Sequence, residues 1–142
     1  LSESKLRRIT EHTADAGIEV EADSLPEAFH EASLAFTEIV TGGNLPQSKR
    51  SHDIELESTD LDSILVKFIS NLIFLFDSDD FLVSSAKVEI KSDSLFVLKG
   101  TLFGDTYDQS EHGYGVEIKA VSYHLLEVVW GPPSKIKVIL DL

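Results

Sequence analysis

Between Glu11 and Val20 the chain reads EHTADAGIEV, placing a carboxylate, an imidazole, a hydroxyl and a second carboxylate within five residues. These are the group types of acid–base and metal chemistry. Ala16, Ile18 and Val20 then alternate with Gly17, Glu19 and Glu21, the period of a half-buried strand, so Asp15 falls at a strand entrance. Strand ends commonly carry functional side chains. A turn in which Thr13 and Asp15 bond local backbone N–H groups explains the same residues, and the stretch alone leaves both readings open.

Three further polar groups stand out. Asp77, Asp79 and Asp80 follow a long apolar run, at what is expected to be a helix C-terminus, where the macrodipole favours cations. A bound cation or a basic partner would offset them; a solvated loop would tolerate them. Asp105 to Gly113 holds three carboxylates and a histidine, but departs from the fixed Gly and Glu positions of an EF-hand and reads as a flexible, solvated loop. In GVEIKAVSYH, Gly115 to His124, the residues Val116, Ile118 and Ala120 form an apolar face with Glu117 and Lys119 opposite. His124 there reads as a hydrogen-bonded structural histidine.

The elements that must position these groups are legible. Residues 5–9 read as a short first strand. Ser24-Leu25-Pro26-Glu27 is a helix start, with Ser24 as N-cap, Pro26 in the first turn and Glu27 completing a capping box. Leu25, Ala28, Phe29, Ala32, Phe36, Ile39 and Val40 follow at helical spacing, until Gly42-Gly43 stops the helix. His30 is expected on its polar face, as a surface residue. A strand around Ile54 and Leu56 precedes a second helix, capped by Ser58 or Thr59, whose stripe from Leu61 to Phe76 predicts the more buried of the two. Strands are then expected at 81–91, 95–103, 115–120, 123–130 and 136–141, with turns at Ser92-Asp93 and at Gly131-Pro132-Pro133-Ser134. This order predicts an α+β fold: a mostly antiparallel β-sheet covered by two α-helices, in one domain spanning 1–142. A nucleotide-binding α/β fold is not supported, since no Gly-rich phosphate loop occurs.

The 142 residues carry 25 acidic and 12 basic side chains, a net charge of -13. Direct nucleic-acid binding rests on a positive footprint and is disfavoured. An acidic domain instead docks on a basic protein, including one that itself handles nucleic acid, or collects divalent cations. No cysteine occurs, which removes disulfides and thiolate sites. The longest apolar run, Leu72 to Phe76, is far below a membrane span. With no signal-peptide pattern, a cytoplasmic protein is expected. The chain starts at Leu1 and contains no Met, so the expectation is that an initiator residue precedes this numbering.

EHTADAGIEV, the helix beginning LPEAFHEA, GVEIKAVSYH and the ending VILDL, in this order and at these positions, resemble the archease family over nearly the whole chain. Ala16 stands where an aliphatic Ile is usual and Ser122 where Thr is usual; neither change removes a polar atom. The resemblance implies a non-enzymatic activator of the RtcB-type tRNA-splicing ligase, promoting guanylylation of a ligase histidine and multiple turnover. It also implies a divalent cation, taken as calcium with magnesium or manganese as alternatives, held by Asp15, Asp141 and the carbonyl or terminal carboxylate of Leu142. Glu11, His12, Lys119 and His124 match the same motifs and would flank the site. Two carboxylates and one carbonyl make an open, weak site. It requires the strands bearing Asp15 and Asp141 to be neighbours, since residues more than about 10 Å apart do not share one ion. Two other readings stay open: a chaperone or specificity module for a tRNA-modifying enzyme such as a methyltransferase, and a metal-dependent hydrolase with His124 or His12 as base.

Overall fold

The computed structural model describes residues 5–11 and 14–142. Among the described residues, seven strands form two fully antiparallel sheets. The first has the order β1 (Leu6–Glu11), β2 (Asp15–Ala22), β7 (Ser134–Asp141), β6 (Ala120–Val129); the second has β3 (Arg50–Ser58), β5 (Phe96–Thr106), β4 (Phe81–Ser92). Two long helices, α1 (Leu25–Thr41) and α2 (Leu61–Asp79), and a short α3 (Gln109–His112) complete the α+β fold. The expected single sheet is thus two, with both long helices touching each of them.

Helix α1 starts and stops as its sequence dictates. Ser24 Oγ accepts the Glu27 N–H at 3.3 Å, and Gly42, at φ +86°, donates its N–H to the Glu38 carbonyl. In α2 the cap is Asp60, not Ser58 or Thr59: its carboxylate accepts the Ser63 N–H at 2.7 Å. Burial reverses the expectation from the apolar stripes. Thirteen of 17 residues in α1 are buried against five of 19 in α2, because α1 packs on β1, β2 and β7 of one sheet and β4 of the other. The α2 stripe is only partly covered, and Phe74 stays 63% exposed. Phe29 and Phe68 join the helices edge to face, with centroids 5.1 Å apart.

Burying α1 on both sides requires partners for its polar groups. Thr37 Oγ1 donates to the Val83 carbonyl at 2.6 Å, and Thr41 Oγ1 to the Asn44 carbonyl at 2.6 Å. His30 is not a plain surface residue: its Nδ1 accepts the Ala86 N–H at 3.2 Å, next to the β4 bulge at Val83/Ser85. Arg7 of β1 reaches across to Glu38 and Glu31 of α1. These carboxylates, Glu38 foremost, raise the guanidinium pKa further above its ordinary value.

Residues 115–119, expected as a strand, form an extended connection instead. Its first backbone bonds go to the end of α1, with Gly115 N–H to the Val40 carbonyl at 2.7 Å and Val116 N–H to that of Ile39 at 3.1 Å. A Cβ at Gly115 would overlap the Ile39 carbonyl oxygen, so only glycine permits this approach. β6 then starts at Ala120 and runs through a bulge between Ser122 and Glu127, where Leu125 has φ +58°. No described helix is long and apolar enough to cross a membrane.

Candidate functional site

The outward faces of β2 and β7 hold the charged residues. Ala16, Ile18, Val20 and Ala22 alternate inward with Ser134, Ile136, Val138 and Leu140, all buried. On the other face Glu21 lies opposite Lys135, with a salt bridge of 3.8 Å, and Glu19 lies opposite Lys137. Arg8 of β1 adds a second partner to Glu19 at 3.8 Å. Opposite charges in register stabilise a sheet.

At the end of the same face the pattern inverts, because Asp15 lies opposite Asp141. The Leu142 N–H donates to the Ala14 carbonyl at 3.1 Å, which makes the aspartates a non-hydrogen-bonded pair. Such pairs have Cα atoms about 4.5 Å apart and side chains on one face, in closest approach. Like charges in that position destabilise the sheet. Among the described residues neither aspartate forms an ion pair with a Lys or Arg. Leu142 packs its side chain against the core, which fixes the chain just past Asp141.

The register therefore brings Asp15, Asp141 and Leu142 together. Lys119 joins them through its backbone, its N–H donating to the Asp141 carbonyl at 2.8 Å. Glu11 ends β1 in register with Ala16, next to Asp15. His12 lies outside the described residues. His124 is exposed in the β6 bulge, four residues beyond Ala120, the register partner of Asp141. The bulge takes His124 out of register with β7, so no register partner on β7 is assigned to it. Its backbone N–H bonds Ser122 Oγ at 3.0 Å.

A second acidic corner went unresolved at the level of sequence. At the end of α2, Asp79 pairs with Arg50 through its carboxylate, accepts a second guanidinium N–H on its carbonyl at 3.3 Å, and lies 3.1 Å from His52 Nε2. Arg50 holds the Asp79 carboxyl below the usual range. Arg50 and His52 sit two apart on β3 and so share a face, the signal that a cationic partner for the helix end was near. The loop at 105–113 is likewise not the flexible, solvated segment expected: it contains α3 and buries His112 to 3% exposure.

Two antiparallel sheets around two long helices, with facing aspartates where the N-terminal and C-terminal strands meet, define a small α+β class with an oxygen-rich strand-end corner. Comparison with known proteins names the family. The model of the Archease protein family matches residues 8–142. The protein archease of Pyrobaculum neutrophilum is 36% identical over 124 residues, covering 85% of this chain and 84% of that one. The archease of Methanothermobacter thermautotrophicus is 35% identical over 133 residues, covering 92% and 94%. The solution structure of Methanobacterium thermoautotrophicum protein 1598 superposes with a TM-score of 0.76 at 30% identity, over 96% of this chain and 98% of that one. The chain belongs to the archease family.

Proposed function

We propose that the chain is a non-enzymatic activator of an RtcB-type tRNA-splicing ligase, acting through one divalent cation held by Asp15, Asp141 and a main-chain oxygen of Leu142. The observation that carries this reading is the Asp15–Asp141 pair. A sheet face that matches Glu19 with Lys137 and Glu21 with Lys135 places two carboxylates opposite each other at its end, one residue before Leu142. The donor set fits a hard cation: oxygen only, from partly exposed groups, with room for water. Family membership supports the choice of ligase as partner.

When bound, the cation supplies charge neutralisation for nucleotidyl transfer, a reaction limited mainly by positioning and electrostatics. The chain's own contribution is to hold the donors. The β2–β7 ladder fixes the separation of the two carboxylates, and the Leu142–Ala14 and Lys119–Asp141 backbone bonds hold the end of β7. A net charge of -13 favours transient docking on a basic enzyme. No nucleophile is required of the chain, since the ligase histidine accepts the guanylyl group.

Adding the protein to the ligase with GTP should speed formation of the enzyme–GMP adduct, and Asp15→Ala should remove that gain while the fold persists. An unchanged adduct rate with the wild-type chain rejects the reading. So does full stimulation by Asp15→Ala.

A further inference from the structure

The loop joining β5 to β6 is anchored from several directions. Tyr107 donates its backbone N–H to the Asp80 carbonyl at 2.7 Å and its hydroxyl to the Gly113 carbonyl at 2.6 Å. Its ring lies against Phe76 and stacks on His112, with centroids 6.0 Å apart and planes at 25°. Asn44 Nδ2 holds the His112 carbonyl at 2.8 Å. The imidazole is therefore fixed in place, and one of its nitrogens is spoken for: Nδ1 accepts the Asp108 N–H at 3.0 Å. With the ring neutral, the proton sits on Nε2.

That Nε2 is enclosed and has no hydrogen-bond partner. Native proteins rarely leave such a group unmatched, and each case calls for a reason. Two carboxylates face it. Asp105 comes from the end of β5 and Glu111 from α3, and the three potential ligand atoms lie within 4.8 Å of one another. Glu111 Oε2 is 3.6 Å from Nε2, too far for a hydrogen bond. Among the described residues, neither Asp105 nor Glu111 pairs with a Lys or Arg.

We propose that Asp105, Glu111 and His112 form a second cation site, distinct from the Asp15–Asp141 corner and suited to a zinc-like ion. One imidazole nitrogen with two carboxylates is a borderline donor set, favouring zinc over calcium, which takes oxygen alone. Zinc–ligand bonds of about 2.0 to 2.2 Å space tetrahedral donors roughly 3.3 to 3.6 Å apart. The exposed Glu111 side chain can close that gap by rotation, while His112 stays fixed by the loop. A water completes the fourth position.

Occupancy has a chemical consequence that an internal hydrogen bond lacks. The ion takes the Nε2 lone pair, the proton on Nε2 is replaced by one on Nδ1, and the ring stays neutral. The Asp108 N–H then turns away from Nδ1 towards water, which its exposed position permits. If Glu111 instead swung in to accept the Nε2 proton, Nδ1 would keep the Asp108 N–H.

The test uses zinc alone on the full chain carrying Asp15→Asn and Asp141→Asn, which removes the other corner and separates this site from the proposed function. Calorimetry should show one zinc equivalent. Adding Asp105→Asn or Glu111→Gln should weaken it by at least the ~10-fold that loss of an outer-shell partner costs. Both residues lie away from the core, so the variants should keep the wild-type circular dichroism. Nitrogen NMR should show the His112 ring proton moving from Nε2 to Nδ1 with zinc, along with a shift of the Asp108 amide. No saturable zinc binding, equal affinity in both variants, or an unmoved His112 ring proton would each overturn the proposal.

Discussion

Two corners of this molecule place aspartates at the ends of secondary-structure elements, and they are treated in opposite ways. At the end of α2, Asp79 meets Arg50 and His52 from β3. At the end of β2, Asp15 meets Asp141, and no described Lys or Arg forms an ion pair with either. The helix end needs its counter-charge at all times, because the macrodipole repels carboxylates there. The same face carries two Glu–Lys register pairs beyond Gly17 and Ile139, so a lysine at the register position would have matched Asp15 as readily. A matched acid serves the fold, whereas the unmatched pair in closest register is where the proposed cation would sit.

The most direct way to break this contrast is to give the sheet corner the solution that the helix corner has. Asp141→Lys converts the like-charge pair into an Asp15–Lys pair equivalent to Glu21–Lys135. Calcium titration should then show no binding, and stimulation of ligase guanylylation should disappear. Urea unfolding should move the other way, with stability rising by roughly 0.2 to 1 kcal/mol, the range of a favourable cross-strand pair. Loss of function joined to a gain in stability is the signature of a functional like-charge pair. A variant that lost both would mark the aspartates as structural.

Arg50→Ala tests the matched corner. The Asp79 carboxyl is held below its ordinary value by Arg50, so its folded-state pKa lies under its unfolded one. Such a group contributes stability that is complete above the ordinary carboxylate range near pH ~4 and is lost as pH falls through the lowered folded value. The wild type should therefore lose more stability than Arg50→Ala between pH ~5 and acid. The two unfolding curves should converge at the acid end. Parallel curves would show that the ion pair is too solvated to matter.

The sequence announced some of this and concealed the rest, for physical reasons. Helix α1 was legible because its signals are local: a Ser24 cap, Pro26 in the first turn and Gly42 in the left-handed region. The inward alternation of β2 was legible for the same reason. Which helix lies deeper was not, since the α2 stripe is as apolar as that of α1 and depth depends on how much of each helix the two sheets cover. Residues 115–119 alternate like a strand, yet Gly115 and Val116 bond the end of α1, and no periodicity reports a bonding partner. His112 looked solvated because its neighbours in sequence are charged, whereas its burial comes from Tyr107 stacking and the Asn44 anchor. Asp15 and Asp141 could each be assigned a face from alternation. Their pairing is a fact of topology, and the family resemblance, rather than the pattern, had put them together.

The smallest effect sharpens the contrast furthest. Lys135→Glu creates a second like-charge pair, with Glu21, on the same face of the same two strands. If two facing carboxylates were sufficient for a cation, this pair should bind calcium as the Asp15–Asp141 corner is proposed to do. Its surroundings differ: Ala22 and Ser134 continue the ladder in register beside it, so their backbone is committed, whereas Leu142 lies one residue past the end of β7. The expected outcome is a loss of a few tenths of a kcal/mol in urea unfolding, with no new calcium site in a titration carried out on an Asp15→Asn background. Calcium binding there would mean that register alone makes the site and that the main-chain oxygen of Leu142 is dispensable.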